Sequence, residues 1–220
     1  QLNPKNAGYY FIQGNIYDYI DKYEKAIEDY TKAIEIVPGY KETYYNRGNT
    51  YYKVREYDKA IVDYTRVIEL DLEYKEAYYR RGNAYSDIKE YEKAIEDYSK
   101  AIELEPENAV YYNNRGTAYK NMKEYEKAIT DYTKAIELNP ENADYYYRGN
   151  AYYEKREYDK AIIDYNKAIE LDSGYKEAFY KRGNVYKNKK EYEKAIEDYT
   201  KAIELDPGNA DYYFIRGDTY

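Results

Sequence analysis

The side chains available for chemistry in this chain are phenols, carboxylates, amines and amides. Tyrosine occurs 39 times against 3 Phe and no Trp, Asp and Glu total 43, Lys and Arg total 35, and His and Cys are absent. Their absence removes imidazole acid–base catalysis, thiolate nucleophiles, disulfides and Cys/His zinc sites together. Carboxylate pairs could still act as acid and base, but here they recur as surface Glu and Asp. No nucleophile–base pair, phosphate loop or metal-ligand spacing occurs, so the residues point to no enzyme, no cofactor and no metal. A net charge of −8 argues against nucleic acid and anionic membrane surfaces as partners, because both are held by clustered cations. The longest apolar runs are too short to span a membrane. Nothing in the composition fixes a compartment. The chemistry left is recognition by tyrosine rings and asparagine amides, and its partner would be a protein or peptide.

Those side chains are positioned by a repeat. Gly14, Gly48, Gly82, Gly116, Gly149, Gly183 and Gly217 follow one another at steps of 34, 34, 34, 33, 34 and 34 residues. Twelve residues after each of the first six stands an alanine: Ala26, Ala60, Ala94, Ala128, Ala161 and Ala195. Twelve further on comes Pro38, Pro106, Pro140 or Pro207, with Leu72 and Ser173 in the other two units. In the second unit Tyr44, Gly48 and Tyr51 form one helical stripe, and Ala60, Ile61, Tyr64, Val67 and Ile68 form another. Val54-Arg55-Glu56-Tyr57 is a short turn between them, and proline stops the second helix. Each unit is therefore a helical hairpin, with small residues at Gly48 and Ala60 so that the two helices can approach closely. Glycine inside a helix costs about 1 kcal/mol relative to alanine, so its recurrence implies close contact.

The unit reads Tyr-Tyr-x-Arg-Gly-Asn-x-Tyr, then Glu-Tyr-x-Lys-Ala-Ile-x-Asp-Tyr-x-Lys-Ala-Ile-Glu-Leu-x-Pro. It resembles the tetratricopeptide repeat over essentially the whole chain. The resemblance implies an all-α, right-handed superhelical solenoid of antiparallel hairpins, with first helices lining a concave groove. The units are 7–40, 41–74, 75–108, 109–141, 142–175 and 176–209, and 210–220 is the first helix of a seventh. Gln1-Leu2-Asn3-Pro4 matches the end of a unit, as in Glu137-Leu138-Asn139-Pro140, which reads as a fragment of a longer array without capping helices.

Twenty-five tyrosines fall at four repeated places, those of Tyr44, Tyr51, Tyr57 and Tyr64, and are expected in the core. A second set shares another face of the first helix. Three residues before the glycine stand Phe11, Tyr45, Tyr79, Asn113, Tyr146, Tyr180 and Phe214. One residue after it stand Asn15, Asn49, Asn83, Thr117, Asn150, Asn184 and Asp218, and four after it Tyr52 and Tyr153. Tyrosine gives contact area at low entropic cost, and asparagine can bond an extended backbone through donor and acceptor alike. The candidate peptide-binding groove is thus Phe11, Asn15, Tyr45, Asn49, Tyr52, Tyr79, Asn83, Asn113, Thr117, Tyr146, Asn150, Tyr153, Tyr180 and Asn184. The resemblance implies the same use of an asparagine row. The competing reading is that these amides bond their neighbours across repeats.

An arginine precedes the glycine in most units (Arg47, Arg81, Arg115, Arg148, Arg182, Arg216), and every complete unit carries an aspartate (Asp29, Asp63, Asp97, Asp131, Asp164, Asp198). Structural Arg–Asp pairs are the expectation. Glu28/Lys32, Glu96/Lys100 and Glu197/Lys201 are spaced for i, i+4 pairs. One family subset clamps chaperone C-termini with two lysines, two asparagines and an arginine. Asn15, Asn46 and Arg80 match, but Phe11 and Glu76 replace both lysines, which excludes that ligand. The missing residue of the 33-residue step is expected to shorten the turn near Glu141-Asn142 and leave the helix across 143–149 unbroken. The function expected is a scaffold holding an extended peptide or a partner helix. The alternative is a structural array whose matching ends associate head to tail.

Overall fold

The computed structural model describes residues 6–141 and 144–219. Among these, thirteen α-helices and no strand occur. First helices of the repeats are α1 (Ala7–Tyr19), α3 (Lys41–Lys53), α5 (Lys75–Asp87), α7 (Ala109–Asn121), α9 (Asp144–Glu154) and α11 (Lys176–Asn188). Second helices are α2 (Tyr23–Ile36), α4 (Tyr57–Leu70), α6 (Tyr91–Leu104), α8 (Tyr125–Leu138), α10 (Tyr158–Leu171) and α12 (Tyr192–Leu205). A final helix, α13, covers Ala210–Gly217. The chain forms two compact units that divide after Glu107, at the end of the third repeat. Within each, every first helix packs on its own second helix, which packs on the next first helix.

The interhelical turn is a glycine-type cap built without glycine. Asp21, Arg55, Lys89, Lys123, Arg156 and Lys190 all adopt the left-handed conformation, with φ between 57° and 65°. Around Arg55, the Glu56 amide donates to the Tyr51 carbonyl at 2.9 Å and the Arg55 amide to Tyr52 at 3.0 Å. This crossed pair is the Schellman arrangement, which satisfies carbonyls that the helix end leaves open.

The repeated glycine makes room for a ring. An added Cβ on Gly82 would lie 2.8 Å from the Tyr98 ring and 3.3 Å from the Ala94 carbonyl. The ring concerned belongs to the second helix, and its whole row is buried: Tyr30, Tyr64, Tyr98, Tyr132, Tyr165 and Tyr199 are at most 2% exposed. The other three tyrosine places differ from expectation, being mostly half-buried. Two of them flank the arginine. Arg47 lies 5.7 Å from the Tyr44 ring and 5.8 Å from the Tyr51 ring, a stacked setting that guanidinium tolerates well.

Between those rings the arginine forks onto the aspartate of its own repeat. Arg47 Nε and Nη2 donate to Asp63 at 2.8 and 2.7 Å. Arg81–Asp97, Arg115–Asp131, Arg148–Asp164 and Arg182–Asp198 repeat the geometry. Nη1 of Arg47, Arg81 and Arg148 reaches back to Thr31, Thr65 and Thr133 of the preceding second helix. One side chain thus ties three helices by bidentate, charge-assisted bonds. The expected Arg–Asp pairing is present. The i, i+4 pairs are replaced: Lys32 bonds Asp29, Lys100 bonds Glu103 and Lys201 bonds Glu204, all at i, i+3.

Junctions between repeats use two interchangeable solutions. Tyr40, Tyr74 and Tyr175 stand at the N-cap of a first helix, and each covers the ring three before the preceding glycine, at 5.0, 5.3 and 4.9 Å. Behind each lies a small or slim residue at the buried helix start, Thr43, Ala77 or Ala178. Where the cap is Asn6, Asn108 or Asn209, its side chain accepts from the helix backbone. The aromatic then moves inside the helix, as at Tyr111 and Tyr212, and Tyr212 lies 5.1 Å from Tyr180.

The 33-residue repeat follows neither solution. α9 is unbroken from Asp144, as expected; residues 142 and 143, where the shortened turn is expected, lie outside the described residues. Counting back from Gly149 puts Asp144 in the place of Tyr111 and Tyr212. It is 2% exposed, and Asn113 Nδ2 of the preceding repeat donates to its carboxylate. Burial pushes the Asp144 carboxyl up to about 6, opposed by the Asn113 bond. Two departures from the repeat, Asn113 for an aromatic and Asp144 for a tyrosine, are partners.

Candidate functional site

In the first unit the first helices α1, α3 and α5 line an open cleft of about 500 Å³. Its walls carry Asn15, Asn46, Asn49, Tyr52, Lys53 and Arg80, with Asp18, Tyr19, Asp21 and Tyr30 completing them. Of the residues expected from sequence, Asn15, Asn49 and Tyr52 are there. Asn46 and Arg80, two residues before their glycines, take the wall positions that the rings three before were expected to take.

Those rings of the first unit are not among the residues lining the cleft. Phe11, Tyr45, Tyr79, Tyr146 and Tyr180 are half-buried, and each packs 6.0–6.2 Å from the buried tyrosine of its own repeat. Asn113 is engaged with Asp144 instead. The lining of the first unit's cleft lies about one residue of helical rotation, or 100°, from the face expected. The face that opens carries residues two before and one after the glycine, and Tyr52 or Lys53 one turn further on.

The asparagine row is engaged on its acceptor side. Tyr30, Tyr64, Tyr98, Tyr165 and Tyr199 donate their hydroxyls to Oδ1 of Asn15, Asn49, Asn83, Asn150 and Asn184 at 2.8–2.9 Å. Thr117 and Tyr132 hydroxyls meet at 3.1 Å in the fourth repeat. Each bond satisfies a phenol that would be costly to bury alone, and burial pushes these phenols well above their ordinary value. With Oδ1 committed, the amide orientation is fixed. The row thus ties the first helix of each repeat to its own second helix.

Other polar groups of the first unit's face satisfy one another. Lys53 bonds Asp18 at 2.5 Å, Thr50 donates to the same carboxylate at 2.8 Å, and Tyr52 donates to Asp87. Asn46 Nδ2 donates to Asn15 at 2.8 Å. In the second unit Tyr153 accepts from Asn188 at 2.9 Å. Among the described residues, no group of acidic side chains could hold a metal ion, and no helix is long and apolar enough to cross a membrane.

Comparison with known proteins agrees with this architecture. Family models described as tetratricopeptide repeat and TPR repeat match residues 42–74, 76–108, 109–142 and 177–209, and residues 14–54 and 149–190. No curated protein matches the chain by sequence. Among solved structures, YrrB, described as a TPR protein with an unusual peptide-binding site, is 28% identical, with a TM-score of 0.71 over 86% of this chain and 97% of that one. MamA is 31% identical, with a TM-score of 0.71 over 78% of this chain and 94% of that one. PilF of Pseudomonas aeruginosa, at 20% identity, shares the fold with a TM-score of 0.77 over 96% and 97%. With hairpins of this geometry and family matches over most of its length, the chain belongs to the tetratricopeptide repeat family.

Proposed function

We propose that this chain is a binding scaffold that holds an extended peptide along the face formed by its first helices. The observation that carries the reading is the cleft of the first unit, open and walled by side chains of three successive first helices. Its amides are held in place by buried phenols, so a guest meets donors that need no reordering, and preorganisation of this kind lowers the cost of binding. YrrB, the 28% identical relative, is described as having a peptide-binding site, which supports the same use here. The test is capture of partners from a lysate by the full chain, compared with a Tyr52→Ala, Arg80→Ala variant and with an outer-face Lys201→Gln control. Partners lost by the cleft variant and kept by the control support the reading; equal capture by all three removes it.

A second reading is self-association. α1 exposes Ile12 and Ile16 at 59 and 56%, its C-cap Ile20 is 46% exposed, and α13 exposes Phe214 at 75%. These are apolar faces that a second copy would cover. Light scattering that rises steeply with concentration, and falls in an Ile12→Ser, Ile16→Ser variant, supports it; a constant monomer mass removes it.

A further inference from the structure

Lysines of the second unit generally have carboxylate partners. Lys176 reaches Asp206 at 2.6 Å, Lys187 reaches Asp218 at 2.6 Å and Lys189 reaches Asp159 at 2.5 Å. Lys123 and Lys190 stand exposed at turns, where water solvates them. Lys120 on α7 and Lys181 on α11 are different. Both are partly buried, and among the described residues neither has a carboxylate within 4.0 Å. Lys181 lies over the Tyr180 ring, 6.0 Å from its centre. The two stand on α7 and α11, on either side of α9, in the registers of Asp18 and Arg80, which line one cleft in the first unit; α9 carries the exposed Glu154. Burial and the Lys181 charge hold Lys120 below the ordinary lysine value.

Their registers place them on the binding face. Lys181 stands two before its glycine, as Asn46 and Arg80 do, and Lys120 four after its own, as Tyr52 does. All three of those residues wall the first unit's cleft. Two like charges in cleft registers, partly buried and without a carboxylate in ion-pair contact, cost the folded chain less when an anion sits between them. Resting on the scaffold reading above, we propose that the second unit selects an acidic peptide segment, one of whose carboxylates is held between Lys120 and Lys181.

The test uses fluorescein-labelled octapeptides of alternating Asp–Ala, Asn–Ala and Lys–Ala, titrated against the full chain by fluorescence anisotropy in low salt. The Asp–Ala peptide is expected to bind about tenfold tighter than Asn–Ala, the size of one good charge-assisted contact. A Lys120→Gln, Lys181→Gln variant should abolish that difference and leave Asn–Ala binding alone, while Lys201→Gln changes nothing. Equal binding of Asp–Ala and Asn–Ala, or tightest binding of Lys–Ala, overturns the acidic selection and leaves the scaffold reading intact. Binding of none of the three at millimolar peptide overturns the scaffold reading itself.

Discussion

Replacing Asp144 by asparagine should stabilise the protein at neutral pH, although it changes a residue that is hydrogen-bonded. Asp144 occupies a place that tyrosine fills in the asparagine-capped repeats and threonine or alanine in the others, and its carboxyl is moved from 3.8 to about 6. At about 1.36 kcal/mol per pKa unit, that rise is about 3 kcal/mol against the ionised form. Water at the rim of the core screens part of it, so about 1–3 kcal/mol is the working range. Asparagine keeps an oxygen for the Asn113 amide and has no charge to desolvate. The folded protein holds the Asp144 proton more tightly than the unfolded chain does. The penalty is therefore complete above about pH 7, shrinks as pH falls through 6 and is gone below about 4. Urea unfolding followed by far-UV circular dichroism measures this directly. Asp144→Asn should exceed the parent by about 1–3 kcal/mol at pH 7.5, and the gap should fall to about a third of that by pH 4.5. A gap independent of pH, or a variant less stable at pH 7.5, would refute the argument that charge burial at this position is costly.

Three further outcomes follow from the packing. Arg81→Leu leaves Asp97 buried, 4% exposed, without its fork, and should cost about 3–5 kcal/mol in urea midpoints; adding Asp97→Leu should recover most of it. Thr43 is fully buried with no bond to its hydroxyl among the described residues. Thr43→Ala, the residue found in its place at Ala77 and Ala178, should therefore raise stability by about 1 kcal/mol, and a loss of more than that would show a hidden partner. Gly82→Ala drives a methyl into the Tyr98 ring and should cost about 1–3 kcal/mol by thermal melt; a neutral result would mean that the ring can move aside.

Much of the fold was legible because one period governs it. Gly48, Ala60 and the prolines fixed two helices per repeat, and the joint presence of Arg47 and Asp63 was enough to foresee their pairing. The caps were not legible. A left-handed turn is signalled by glycine, and here Asp, Arg or Lys stands at that position, so the backbone shape is imposed by the helices on either side. The lining of the first unit's cleft lies one residue from the face expected, for a related reason. Tyr45 and Asn46 are 100° apart on their helix, and which of them opens outward depends on where Tyr64 and Tyr74 sit. That is tertiary information, absent from the pattern of a single helix. The exchange of Tyr175 at a cap for Tyr212 inside a helix is visible in the residues, but its meaning needs the ring of the preceding repeat that each covers. The alternation of Asn113 and Asp144 with aromatics likewise carries no signal until the two are seen to touch.

The two ways of closing a junction also make the order of repeats matter. A repeat that offers an aromatic to its successor can be followed by a tyrosine cap or by an internal tyrosine. The fourth repeat offers Asn113 instead, and its successor answers with Asp144. If the fifth repeat were grafted behind any other, its carboxylate would lose the Asn113 donor and meet a ring instead; if the fourth were followed by another, the amide would lose that carboxylate. Near-identical modules invite slippage into wrong neighbours as the chain folds, and a single mismatched seam would give the native order an advantage that the remaining seams do not supply. One polar joint thus acts as a key that sets the phase of the whole row.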